Sequence, residues 1–102
     1  MIQEFNEEAI IQKMIGYGLP DYMQEGVLNY LSFGILPGDF LHAVLCNDLF
    51  RAVAKSDNNN IRLLKEWVSF IYNVFPSIAW GSPEAVRNWL EISNQKENQE
   101  NE

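Results

Sequence analysis

Residues 39–55 read DFLHAVLCNDLFRAVAK, and the fold turns on how this stretch is built. Placed at about 100° per residue, Phe40, Leu41, Val44, Leu45, Leu49, Phe50 and Val53 cover most of a helical circumference. A helix that is apolar nearly all round belongs at the centre of a domain. The spacing therefore predicts one central helix over roughly 39–55, with Asp39 as its cap after a Pro37-Gly38 turn. Its few polar residues cluster: Asn47, Asp48 and Arg51 share one edge. Polar groups on such a helix must be satisfied. One reading pairs Asp48 with Arg51 and bonds Asn47 to a loop backbone. The other makes the three a polar rim facing a ligand or partner.

Helical signals flank this stretch on both sides. Upstream, Asn6 can cap a first helix with Glu7 and Glu8 in its first turn, where the dipole favours acids. Phe5 and Ile10 stand at the staple positions, Ile10, Ile11, Met14 and Ile15 form a stripe, and Gly16 and Gly18 end it. Leu19-Pro20 opens a second helix, with Met23, Val27, Tyr30 and Leu31 on one side and Gly34 as its stop. Downstream, residues 56–60 read SDNNN, a loop by composition. A fourth helix is expected over roughly 61–75, with Ile61, Leu64, Trp67, Val68, Ile71 and Phe75 inward, ending before Pro76. A fifth follows Ser82 as cap and Pro83 at the first turn, over roughly 83–92, with Val86, Trp89 and Leu90 inward. No segment sustains a period of two. The expected fold is all-α, a compact bundle of about five helices in a single domain over 1–92. The apolar-free segment from Ser93, SNQKENQENE, is expected to be a disordered tail over 93–102.

Composition narrows the function classes. The chain has 102 residues, 47% of them hydrophobic, and a net charge of −7. Residues 1–8 carry −3 and residues 93–102 carry −2, so the middle is only −2. This balance disfavours a nucleic-acid binder, which needs a basic footprint. The apolar runs are too short for a membrane span. The N-terminus, MIQEFNEEAI, lacks the basic flank and apolar core of a signal peptide. Cys46 is the single cysteine, which rules out an internal disulfide and fits a reducing cytoplasm.

Catalytic and metal chemistries find few residues. Asp39, His42 and Cys46 share a helical face and are zinc-type ligands, but a structural site needs four and the chain has no second His or Cys. A Cys46–His42 nucleophile pair lacks an exposed, electropositive setting. Ser82 has no second histidine to serve as its base, and WGSPE is not a nucleophile elbow. No cofactor and no enzymatic activity are expected. The step Trp80-Gly81-Ser82 has two readings. It is either a helix cap with a core-plugging indole, or a site where helix N–H groups meet an anion and Trp80 stacks on a base or a partner.

The stretches GILPGDFLHAVLCNDLFRAVAKSD and VSFIYNVFPSIAWGSPEAVRNWL together resemble a family of small proteins encoded by tailed phages and prophages. That family's pattern has a Gly-Ile-Pro-Pro-Gly turn, a Phe-Leu-x-Ala-Val-Leu-x-Asn-Asp-Leu helix, a Phe-Leu-Tyr-Asn helix end and a Trp-Gly-Ser-Pro-Glu step. The resemblance covers roughly residues 20–92. It singles out Pro37, Gly38, Phe40, Asn47, Asp48, Leu49, Tyr72, Asn73, Pro76, Trp80, Gly81, Ser82 and Pro83. This chain departs at Leu36, where the pattern has proline, and at Ala79, where it often has cysteine. The resemblance implies a phage setting rather than a chemistry. The expectation is a phage or prophage accessory protein in the cytoplasm of a bacterial host, acting by non-covalent binding. Counter-defence is the leading role, against a host bacterial protein or a small nucleotide-like ligand. The alternative is an interaction module of phage development. Its candidate binding residues are Asn47, Asp48, Arg51, Tyr72, Asn73, Trp80, Gly81 and Ser82, and a two-fold homodimer is expected.

Overall fold

A computed structural model describes residues 5–101, with side chains through Ser93. Its decisive feature lies at Asn47-Asp48, where the single central helix expected over 39–55 is broken in two. Helix α3 spans Asp39–Leu45 and helix α4 spans Leu49–Lys55. Asn47 takes a left-handed backbone, φ 62°. Its N–H donates to Val44 O (3.0 Å), and the N–H of Asp48 donates to Ala43 O (2.9 Å). That pair of bonds is the Schellman ending, with asparagine in the position usually held by glycine. The next residue starts the following helix: Asp48 Oδ1 accepts the backbone N–H of Arg51 (3.2 Å), an N-cap.

Among the described residues there are seven α-helices and no strand, so the fold is all-α with two more helices than expected. Helix α1 spans Glu7–Gly16, α2 Gln24–Phe33, α5 Asn58–Arg62, α6 Leu64–Val74 and α7 Pro83–Asn101. Short 3₁₀ turns at Asp21–Met23 and Ser77–Ala79 complete the chain. The second extra helix arises before the expected fourth one. Asp57 accepts the N–H of Asn60 (2.7 Å) and caps α5 inside what reads as a loop. Leu63, at φ −106° and ψ 17°, separates α5 from α6.

Several caps stand where the sequence puts them. Asn6 Oδ1 accepts the Ala9 N–H (3.0 Å), Ser82 Oγ accepts the Ala85 N–H (3.1 Å), and Gly34 ends α2 at φ 64°. Asp39 does not cap α3; Gly38 holds that place and Asp39 is the first helical residue. The last helix also differs. The backbone from Ser93 to Asn101, expected as a disordered tail, continues α7. No proline or glycine follows Pro83 to stop it, and Gln, Lys and Glu are good helix formers. Ser93 is itself buried, against Gly34. A Cβ added at Gly34 would collide with Ser93 Cβ, so glycine is required there both for φ and for the close approach of α2 to α7.

The core is aromatic and ties the helices together by ring edges and buried polar tips. Trp67 on α6 meets Phe40 of α3 and Phe70 edge-on. Its indole N–H donates to Asn60 Oδ1 (2.9 Å), which fixes α5 on α6. Trp89 of α7 packs against Phe5 and Tyr30 and donates to Tyr30 O (2.9 Å). The Tyr30 hydroxyl donates to Ala79 O (2.6 Å); burial pushes this phenol well above its usual range. These bonds satisfy the polar ends of large buried rings, the condition for keeping Trp and Tyr inside.

Candidate functional site

The break at Asn47 decides which side chains reach water. Had α3 and α4 been one helix, Leu49, Phe50 and Val53 would have been expected inside. Instead α4 turns them outward: Phe50 is 86% exposed and Leu49 58%. On α6, Val68 is 53% exposed rather than inward as expected, and Tyr72 is 69% exposed. Phe70 takes the buried place instead. The result is an apolar face across α4 and α6.

One end of that face is a cleft of about 150 Å³ lined by Val44, Asn47, Val68, Ile71, Tyr72 and Trp80. Its geometry follows from α3. The carbonyl of Leu45, left free at the helix end, accepts the N–H of Gly81 (2.8 Å). This bond, with Tyr30 on Ala79 at the other side, holds the 76–82 loop against α3 and sets Trp80 beside Asn47. Gly81 at φ 114° makes the bend in a region closed to other residues. The ring of Tyr72 tilts over Trp80 at 5.8 Å between centroids, within the range of favourable aromatic pairs. Trp80 is half-buried, and its Nε1 is enclosed without a hydrogen-bond acceptor. A smaller hollow of about 80 Å³ continues the cleft toward α4 past Leu49, Ala52 and Leu64.

A second concavity, of about 390 Å³, lies on the other side of the break, between His42, Cys46, Arg51, Val86, Arg87 and Leu90. Arg51 Nε stands 3.4 Å from Asp48 Oδ2, and its Nη2 lies 3.2 Å from His42 Nδ1, which accepts. Burial first, and the Arg51 cation second, hold His42 below its usual pKa. Burial pushes the Cys46 thiol up, the opposite of what a nucleophile needs. Among the described residues no group of three His, Cys, Asp or Glu side chains converges as a metal cluster.

The expected binding residues are thus divided. Asn47, Tyr72 and Trp80 meet in the cleft, with Gly81 positioning Trp80. Asp48 lines both the small hollow and the second concavity, and pairs with Arg51, which lines the second. Asn73 faces away: its Nδ2 donates to Ser69 O (2.8 Å) and to the Tyr17 hydroxyl (3.2 Å), which ties α6 to α1. Ser82 is a cap. The α7 N-terminus has little left for an anion, since Pro83 has no N–H and those of Ala85 and Val86 are taken by Ser82. Phe50, Val53 and Val68, read as core, were not among the candidate binding residues, and Leu49 was singled out only by the resemblance. The signal was present in "CND": asparagine is the usual substitute for glycine at a helix end, and aspartate is an N-cap.

No helix among the described residues is long and apolar enough to cross a membrane. Compared with known protein families, with curated proteins and with solved structures, the chain matches none.

Proposed function

We propose that the protein acts by non-covalent binding, as a phage or prophage accessory protein that docks on a host bacterial protein in the service of counter-defence. The observation that carries the binding reading is the Tyr72–Trp80 pair, open at the end of a face on which Phe50, Leu49 and Val68 also stand in water. Tyr and Trp dominate the energetic centres of protein interfaces, and contiguous exposed apolar surface on a small domain marks an interaction site. The phage setting and the counter-defence role rest on the sequence resemblance. A protein partner fits the cleft better than a nucleotide: its six lining residues include no cation, and Asn47 alone brings a polar side chain other than the two aromatic tips.

The test is plating efficiency on hosts carrying defence systems. A phage lacking the protein should plate poorly on at least one such host, and the wild-type chain should restore it. Tyr72→Ala, at an exposed position, should leave folding intact and fail to restore plating. If the deleted phage plates normally on every armed host but is slowed on an unarmed one, the role belongs to phage development instead.

A further inference from the structure

The cleft of about 150 Å³ has the size at which an apolar cavity takes a single benzene ring. The chain carries an unplaced ring on the same face. Phe50 is the most exposed large hydrophobic side chain among the described residues, at 86%. It borders a shallow hollow with Leu49 and Val53. Leu49 also borders the small hollow that shares Val44, Asn47 and Val68 with the cleft. Along the face the order is therefore Phe50, Leu49, Val68, then Tyr72 and Trp80. A knob stands at one end and a hollow at the other. A half-turn about an axis through the middle of that face lays each copy's knob over the other's hollow, the reciprocity of an isologous interface.

We infer that a second copy of this chain covers the α4–α6 face, with each Phe50 ring seated in the other copy's Tyr72–Trp80 cleft. The areas agree. Aromatic side chains carry about 150–250 Å² each, so Phe50 and Tyr72, mostly exposed, leave roughly 300 Å² in water, and the half-exposed Leu49, Val53 and Val68 bring the apolar face to on the order of 500 Å². Two such faces and their polar rims reach the roughly 1,200 Å² at which specific interfaces begin. Among the described residues that line these hollows Asp48 is the charged one, and it already has Arg51 as its partner. The inference rests on the cleft being a docking site, and it adds that a host segment must displace Phe50 to enter it.

Light scattering from micromolar to millimolar concentration tests it. The wild-type mass should rise from 11.8 kDa toward twice that value. Phe50→Asp should weaken association by about 30-fold, as for a central interface anchor, with an unchanged circular dichroism spectrum. Val68→Trp, which fills the cleft, should weaken it similarly. Mixing the two variants restores one knob with one hollow, so the mixture should associate more strongly than either alone. Wild type that stays at 11.8 kDa throughout, or Phe50→Asp that dimerises like wild type, would overturn the dimer. Neither result touches the host-protein reading, because Phe50→Asp leaves the cleft open and its plating phenotype reports on that separately.

Discussion

Asn47 holds a left-handed backbone at φ 62°, where any side chain with a Cβ is strained by roughly 1–2 kcal/mol, asparagine less so through its local hydrogen bonding. Asn47→Gly should be neutral or slightly stabilising in denaturant unfolding, while Asn47→Ala should cost about 1 kcal/mol. If alanine were harmless, the helix ending would not be the residue's role. Gly34 is a harsher case, since Gly34→Ala meets both a positive φ and Ser93 Cβ; it should lower the melting temperature more than Asn47→Ala does. His42 gives a pH dependence with a definite sign. Its folded-state pKa lies below the ordinary value of about 6.5, so the unfolded chain takes up the proton first as pH falls. The stability contributed by neutral His42 is complete above that ordinary value and is lost as pH drops below it toward the folded-state pKa. His42→Phe should remove this part of the slope.

At the scale of elements, the two helix junctions explain what could be read in the sequence and what could not. Caps made by a side chain on its own following turn, such as Asn6, Ser82 and Asp57, are local chemistry. The first two were legible, and the third was hidden by its asparagine-rich surroundings. The break at Asn47-Asp48 was legible too, in the residue types, yet the apolar periodicity of residues 39–55 ran across it and argued for one helix. Periodicity counts side chains and cannot see that α4 lacks a neighbour over its outer side. The cleft was half visible: Trp80 and Asn47 come together through the Gly81 N–H on Leu45 O, a contact between segments 36 residues apart that no local pattern encodes. Asp48→Ala should cost about 1 kcal/mol as a lost cap. Trp80→Ala should cost about 2 kcal/mol, less than a fully buried tryptophan, whereas Trp80→Phe should be mild because the indole N–H has no acceptor to lose.

For the whole molecule, the aromatic core and the apolar face are separate systems. Trp67, Trp89, Tyr30 and Phe70 are buried, and the polar tips of the first three are satisfied, so they hold the helices and leave nothing to offer a partner. Phe50, Leu49, Val68 and Tyr72 contribute little to that core and stand outside it. Substitutions in the second set should therefore alter association at nearly constant melting temperature, and those in the first set should do the reverse. The most direct measurement is a concentration series of ¹H–¹⁵N spectra, which reports residue by residue where the molecule binds. The predicted result is progressive shifts confined to α4, the outer face of α6, Asn47 and Trp80, with α1 unmoved. Shifts centred instead on the His42–Arg87 concavity, or a spectrum that does not change at any concentration, would contradict the claim that the α4–α6 face is where this protein binds a second copy.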